Sequence, residues 1–233
     1  MNPSPQSWFL LRSKASAAAD NMAMDEALLE ASPALAQPVL RFYSWTEPAA
    51  TFGYFQKHAE IEKATHLRPL VRRPTGGGLV PHDADWTYSL VFPPNDPWYS
   101  LKAAASYHHA HEWLRAAFQR LGLDTELASD SRKELPGQCF AGHERSDVLW
   151  RGRKIAGAAQ RRMRSGLLIQ GSVQPPPTPL PLARDTWEQT VCDVARIEFG
   201  VRWQEFKPDP SLAARVAELA SRKYAQPAYN RRR

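Results

Sequence analysis

Cys139 and Lys154 are the two side chains of this sequence whose types and spacing best suit covalent chemistry. The thiol stands in a loop flanked by proline and glycine, Pro136-Gly137-Gln138-Cys139-Phe140-Ala141-Gly142. The lysine follows fifteen residues later, past a short apolar strand (Val148, Leu149, Trp150) and a break at Gly152, and reads as part of a neighbouring turn. A cation beside a thiol favours the thiolate, the attacking form. The same cation can then hold the carbonyl oxygen of an acyl group carried on sulfur. Spacing alone leaves a second reading open, in which Cys139 is a small buried apolar residue and Lys154 a solvated one. Cys192, among Val191, Val194 and Ile197, reads as core.

The second informative stretch is residues 70–89, LVRRPTGGGLVPHDADWTYS. Glycine at 76, 77 and 78 costs backbone entropy, so the loop needs either positive φ or amides close to a ligand. Those amides, with Arg73 adjacent, suit an anionic or carbonyl group; an ordinary glycine-rich hairpin is the competing reading. No Gly-Lys-Ser/Thr closes the loop and no GxGxxG is present, so nucleotide loops of those kinds are excluded. His82, at the end of the loop, reads as a general base, an orienting donor or a plain loop histidine. His108, His109, His111 and Glu112 crowd one helix without the HExxH order, and His143 completes no zinc pattern, so no metal site is expected.

The elements that must position these groups follow from pattern and punctuation. A strand is predicted near Phe9–Arg12, after a disordered leader over residues 1–7. A helix capped by Asp20 or Asn21 runs to about Ala31. Strands are predicted at Val39–Trp45 and from Ala50, then a short helix over Lys57–Leu67. The run Trp86–Phe92 is a strand and Ser100–Leu121 an amphipathic helix closed by Gly122. A strand at Leu167–Val173 leads into an extended proline connector at residues 175–181. Helices over Asp185–Phe199 and Pro210–Tyr224 follow, with a tail that docks or frays.

Composition bounds the partners. Over 233 residues, 43% hydrophobic and 23% charged content is that of a soluble globular protein. No apolar run approaches the roughly 20 residues of a membrane span, and the N-terminal apolar run ends at Arg12, too short for a signal peptide. Two distant cysteines point to free thiols in a reducing, cytoplasmic setting. The net charge of +6 gathers at Arg161, Arg162, Arg164 and Arg231–Arg233 without interleaved aromatics, which favours an acidic protein partner over nucleic acid.

Taken together, four collinear segments resemble the lipoate–protein ligase and octanoyltransferase superfamily, catalytic relatives of biotin–protein ligase. They are Asn21-Met-Ala-Met-Asp-Glu-Ala-Leu-Leu, Leu40-Arg-Phe-Tyr-Ser-Trp through Phe52-Gly-Tyr-Phe-Gln (similar to the family's first hairpin), Arg72-Arg-Pro-Thr-Gly-Gly-Gly-Leu-Val-Pro-His-Asp, and Gly152-Arg-Lys-Ile-Ala-Gly-Ala-Ala-Gln. The tail Lys223-Tyr-Ala-Gln-Pro-Ala-Tyr-Asn-Arg-Arg is also similar to the family's end. The resemblance implies an α/β, mixed α+β chain of the class II synthetase and biotin-ligase-like fold, with a larger and a smaller mixed sheet and helices packed outside. It implies one catalytic domain over residues 1–233, with 174–233 its C-terminal helical part. It also implies a medium-chain acyl group bound by Arg73, Gly76, Gly77, Gly78, Leu79, Val80, His82 and Gly157, its carbonyl on Lys154.

Within the superfamily the cysteine decides the expectation. One group of octanoyltransferases is similar to this chain in placing a Cys-Phe pair fifteen residues before the signature lysine, as Cys139-Phe140 stands before Lys154. The expected activity is octanoyl transfer from acyl carrier protein, through a Cys139 thioester, to the target lysine of lipoyl domains or glycine-cleavage H protein. The enzyme is expected to be a monomer without cofactor, nucleic acid or membrane. Gly78 departs from that group, which reads Gly-Gly-Arg there, and Arg145-Ser-Asp147 resembles the ligases' Arg-Asn-Asp. The alternatives are an ATP- and Mg2+-dependent lipoate ligase acting through lipoyl-AMP, an octanoyl or lipoyl amidotransferase, and a non-catalytic acyl-binding module. The resemblance also implies an expectation against ligation, since many bacterial ligases carry an extra C-terminal domain, while others lack it or receive it as a separate chain.

Overall fold

Two runs that are buried residue for residue, Trp86–Phe92 and Gly166–Val173, lie side by side at the centre of the fold, as strands covered on both faces must. The computed structural model describes residues 6–232 apart from Glu134, Pro136 and residues 178–181. Most of the expected leader and the latter part of the proline connector therefore lie outside the described residues. In chain order the first half runs β1 (Gln6–Arg12), α1 (Ala18–Leu35), β2 (Val39–Tyr43), β3 (Ala49–Phe52), α2 (His58–Ala64), β4 (Leu70–Arg72), β5 (Val80–His82), β6 (Trp86–Phe92), α3 (Pro97–Ser100) and α4 (Ala103–Arg120). There follow β7 (Thr125–Leu127), β8 (Arg132–Lys133), β9 (Gly142–His143), β10 (Val148–Trp150), β11 (Arg153–Met163) and β12 (Gly166–Val173). The rest is α5 (Arg184–Glu198), β13 (Val201–Glu205), α6 (Pro210–Leu219), a π-helical turn (Ala220–Tyr224) and α7 (Pro227–Asn230).

Eight strands form the larger sheet in the order β13-β1-β2-β6-β12-β11-β10-β7, and β4-β3-β5 form the smaller one. Both are mixed: β1 is parallel to β13 and β2, and β3 is parallel to β4 but antiparallel to β5. The period of two along β6 sorts its side chains. Trp86, Tyr88, Leu90 and Phe92 join the core with Trp113 and Phe118 of α4 and Trp187 of α5. Val91 and Leu168 face α1 on the other side of the sheet. Thr87, Gln170 and Ser172 are among the polar positions of that second face.

Several local expectations are corrected. β2 and β3 do not form a hairpin: β2 pairs with β1 and β6 in the larger sheet, whereas β3 lies in the smaller one. The glycine loop is not a hairpin either, because β4 and β5 flank β3 instead of pairing with each other. Helix α1 starts at Ala18, ahead of Asp20 and Asn21, and has no side-chain cap. Asn21 is buried instead, donating to the carbonyls of Ser16 and Ser44 at 3.2 and 2.9 Å. The tail docks: the Asn230 side chain accepts from the backbone N–H of Arg72 at 2.8 Å.

Candidate active site

The cysteine loop reaches its place by pairing with the glycine loop. Leu79 N–H donates to the Gly137 carbonyl at 2.7 Å, and Cys139 N–H donates to the Leu79 carbonyl at 3.0 Å. Gln56 clamps the same Gly137 carbonyl at 2.9 Å. Gly78 is what permits this approach. A Cβ there would lie 2.8 Å from the Gly137 oxygen, closer than real Cβ atoms come, and 3.0 Å from the Cys139 nitrogen, tighter than most. The departure from Gly-Gly-Arg thus has a steric reason in this chain: the third glycine seats the cysteine.

Lys154 comes from a strand and not from the expected turn, as the second residue of β11. Between β10 and β11 the register slips, Leu149 facing Lys154 while Val148 faces Ala156, so two residues of β11 oppose one of β10. Such a bulge re-aims the side chain at its edge. The Lys154 ammonium points at Cys139, its Nζ 3.4 Å from Sγ, and folds over Gly157, where any Cβ would run into the lysine and sit 3.0 Å from Asp147 Oδ1. The two expected chemical groups are therefore together.

A third group was missed. Asp147 is fully buried and accepts from Lys154 Nζ at 2.7 Å, the lysine side chain being only 4% exposed. Its other partners are the Glu144 backbone N–H at 2.7 Å and the Tyr107 hydroxyl of α4, which donates a short bond. Burial pulls the Lys154 pKa down, but the charges on Cys139 and Asp147 outweigh this and leave it raised. The lysine is thus held as an ammonium. Burial, reinforced by the Asp147 charge, raises the Tyr107 hydroxyl, which stays protonated. A thiol and a buried carboxylate that share one ammonium leave that cation beside the sulfur, placed to bind an oxygen that gains negative charge.

Behind Cys139 a narrow pocket of about 40 Å³ lies between the two sheets. Arg73, Gly77, Val80, His82 and Gly157 line it. Gly78 and Lys154 instead face a wider outer cleft, shared with Cys139, Gln56, Tyr107 and Glu144. Gly76 and Leu79 line neither. The Gly76 carbonyl is taken by Arg73, and the Leu79 side chain packs in the core of the smaller sheet while its backbone holds the cysteine loop. Arg73 is buried, and its guanidinium is spent on the Gly76, Gly78 and Thr51 carbonyls; burial draws its pKa down to about 10. It braces the loop from within.

Both ring nitrogens of His82 are occupied, Nδ1 by Asp85 at 2.9 Å and Nε2 by the Thr51 hydroxyl at 2.8 Å, and its ring stacks on Trp45 at 3.9 Å. That is the geometry of a wall residue. The helical histidines diverge: His108 lies near Ser146 and Glu112, while His111 is fully buried. Cys192 is buried in α5, and desolvation pushes its thiol up to about 12.

His111 gives the fold a pH dependence. Its Nδ1 meets the Tyr107 carbonyl at 3.0 Å, its Nε2 has no hydrogen-bond partner among the described residues, and burial lowers its pKa to about 4. Below its unfolded pKa of about 6.5 the unfolded chain binds a proton that the folded chain refuses, so stability falls as pH drops from there to about 4, by about 3 kcal/mol in all. Between pH 7 and 5 this residue accounts for about 2 kcal/mol, or about 5 °C in Tm for a chain of this size. Thermal melts should therefore show His111→Phe losing about that much less than the wild type over this interval; equal losses would refute the assignment.

A larger and a smaller mixed sheet with helices packed outside is also the fold of solved lipoate-protein ligases. Residues 17–174 match the model of the lipoyl protein ligase A/B catalytic domain, and the chain belongs to that family. Among curated relatives, the octanoyltransferase LipM of Carboxydothermus hydrogenoformans is 36% identical over 174 residues, covering 72% of this chain and 65% of that protein. Octanoyltransferase LipM of Staphylococcus aureus is 37% identical over 166 residues, covering 66% and 60%. The match thus spans less than two thirds of these relatives' length. In fold, the chain is similar to a Thermoplasma acidophilum protein described as a lipoate protein ligase with bound lipoic acid, with TM-score 0.78 and 20% identity over 97% of this chain and 100% of that one. It is equally similar to lipoate-protein ligase A bound with ATP, with TM-score 0.78 and 20% identity over 97% and 98%. Among the described residues no helix is long and apolar enough to cross a membrane.

Proposed function

We propose that this chain is an octanoyltransferase that takes an octanoyl group from acyl carrier protein onto Cys139 and passes it to the target lysine of a lipoyl domain or glycine-cleavage H protein. The observation that carries this reading is the Lys154 ammonium 3.4 Å from the Cys139 sulfur at the mouth of the inter-sheet pocket. The names of the curated relatives support it.

In the first half-reaction the Cys139 thiolate attacks the carbonyl carbon of the donor thioester. The carbonyl electrons move to oxygen, where Lys154 holds the charge. Collapse breaks the bond to the donor sulfur, and the departing thiolate takes up one proton. In the second half-reaction a neutral lysine amine attacks the Cys139 thioester. Collapse returns the thiolate to Lys154, and the proton lost from the amine nitrogen balances the one taken up before. Asp147 and Tyr107 position Lys154 throughout, and no cofactor enters.

Octanoyl carrier protein, a lipoyl domain and this chain, incubated without ATP, should yield an amide-linked octanoyl group on the acceptor. Acceptor modification that required free lipoate and ATP would replace this reading with a ligase.

A further inference from the structure

The lining of the inter-sheet pocket gives its direction. On the larger sheet it comprises residues 157–159 of β11, residues 170–172 of β12, Thr87 of β6 and Tyr43 of β2. These are four neighbouring strands in the order β2-β6-β12-β11, so the pocket runs across the strands, with the Cys139 and Gly157 end at β11 and the far end at β2. Three strand spacings of about 4.8 Å make a run of about 14 Å.

A straight saturated chain can be laid along that run. With carbon–carbon bonds of about 1.5 Å at about 111°, each carbon advances about 1.25 Å, so seven bonds from a carbonyl to the eighth carbon span about 9 Å. A terminal methyl then needs about 4 Å to the atoms it touches. The sum, about 13 Å, reaches the β2 end, whereas two further carbons overrun it.

Tyr43 stands at that end, and Met22 of α1 lines the pocket next to it, linked through Gln170, whose Nε2 meets both the Met22 sulfur and Asp25, the acceptor of the Tyr43 hydroxyl. Tyr43 is fixed: its hydroxyl donates to Asp25 Oδ2 at 3.1 Å, and the Arg41 guanidinium lies 4.0 Å from its ring centre. Asp25 is itself held by Arg41, Ser89 and Gln170, each at 2.7 Å. Met22 is 2% exposed, and its sulfur is met by Gln170 Nε2 at 3.4 Å. It is the unbranched, adaptable side chain of this wall.

We propose that Met22, backed by Tyr43, is the stop that limits the bound acyl chain to about eight carbons. The proposal rests on the transferase reading for its substrate class and names the residue that selects chain length within it.

The test compares straight-chain acyl carrier thioesters of six, eight, ten and twelve carbons as donors for wild type, Met22→Ala and Met22→Phe. Because each methylene in an apolar pocket is worth about tenfold or more, the ten-to-eight ratio of kcat/KM should rise by about tenfold in Met22→Ala. The six-to-eight ratio should rise comparably in Met22→Phe. Ratios within one enzyme cancel any loss of folded protein, and the two variants push in opposite directions, so one poorly folding variant leaves the other decisive. Unchanged ratios in a folded variant overturn the proposal. If no thioester of any length is turned over by the wild type, the transferase reading fails by itself. Calorimetric Kd values for octanoate and decanoate, whose ratio must still move with residue 22, then decide on Met22.

Discussion

Cys139→Ala is expected to reduce octanoyl transfer by about 10⁴-fold or more, the scale on which removing a nucleophile acts. The substitution isolates the sulfur, because backbone hydrogen bonds between Leu79, Gly137 and Cys139, with the Gln56 clamp, hold the loop in place. Thermal stability and acyl binding should therefore change little while turnover is lost. Cys139→Ser should be nearly as damaging, since Lys154 can favour a thiolate but cannot ionise a hydroxyl of far higher pKa. Rates of acyl transfer to a lipoyl domain check this, and a variant keeping even a tenth of wild-type activity would contradict a covalent route.

Lys154→Met is expected to lower kcat by about 10²- to 10³-fold, the usual loss when a donor to a developing oxyanion is removed. It also strands Asp147, which is fully buried and has the ammonium as its cation. Breaking a buried pair from one side costs about 3–5 kcal/mol. Pairing Lys154→Met with Asp147→Asn separates the two effects. The double variant should recover most of the lost stability, because neither partner is left charged, and none of the lost kcat. Denaturation midpoints and single-turnover rates on one set of proteins measure both. Recovery of kcat in the double variant would show that Lys154 acts only on folding.

What could be read from the chain beforehand depended on how local each signal was. Strands β6 and β12 announce themselves by composition, and Cys139 with Lys154 by chemistry and spacing. Lys154 nevertheless reads as part of a turn in the sequence, because a one-residue bulge in β11 leaves no mark in composition. Asp147 carried a hint in Arg145-Ser-Asp147, yet its place beside the lysine depends on a β-strand register and on a helix forty residues earlier in the chain. Tyr107 gave no signal, since along α4 it reads as one more residue of an amphipathic helix. The division of β2 and β3 between two sheets was also hidden, because each run is buried and apolar enough to pair with the other. Arg73 was legible as belonging to the glycine loop but not as its inner brace, which requires the loop carbonyls to fold back around it.

The most direct test of the thioester on Cys139 is the intact-protein mass after incubation with octanoyl acyl carrier protein in the absence of ATP. A single octanoyl adduct, removed by neutral hydroxylamine and absent from Cys139→Ala, is the expected result. An unmodified enzyme, together with lipoate-dependent release of pyrophosphate from ATP, would contradict it.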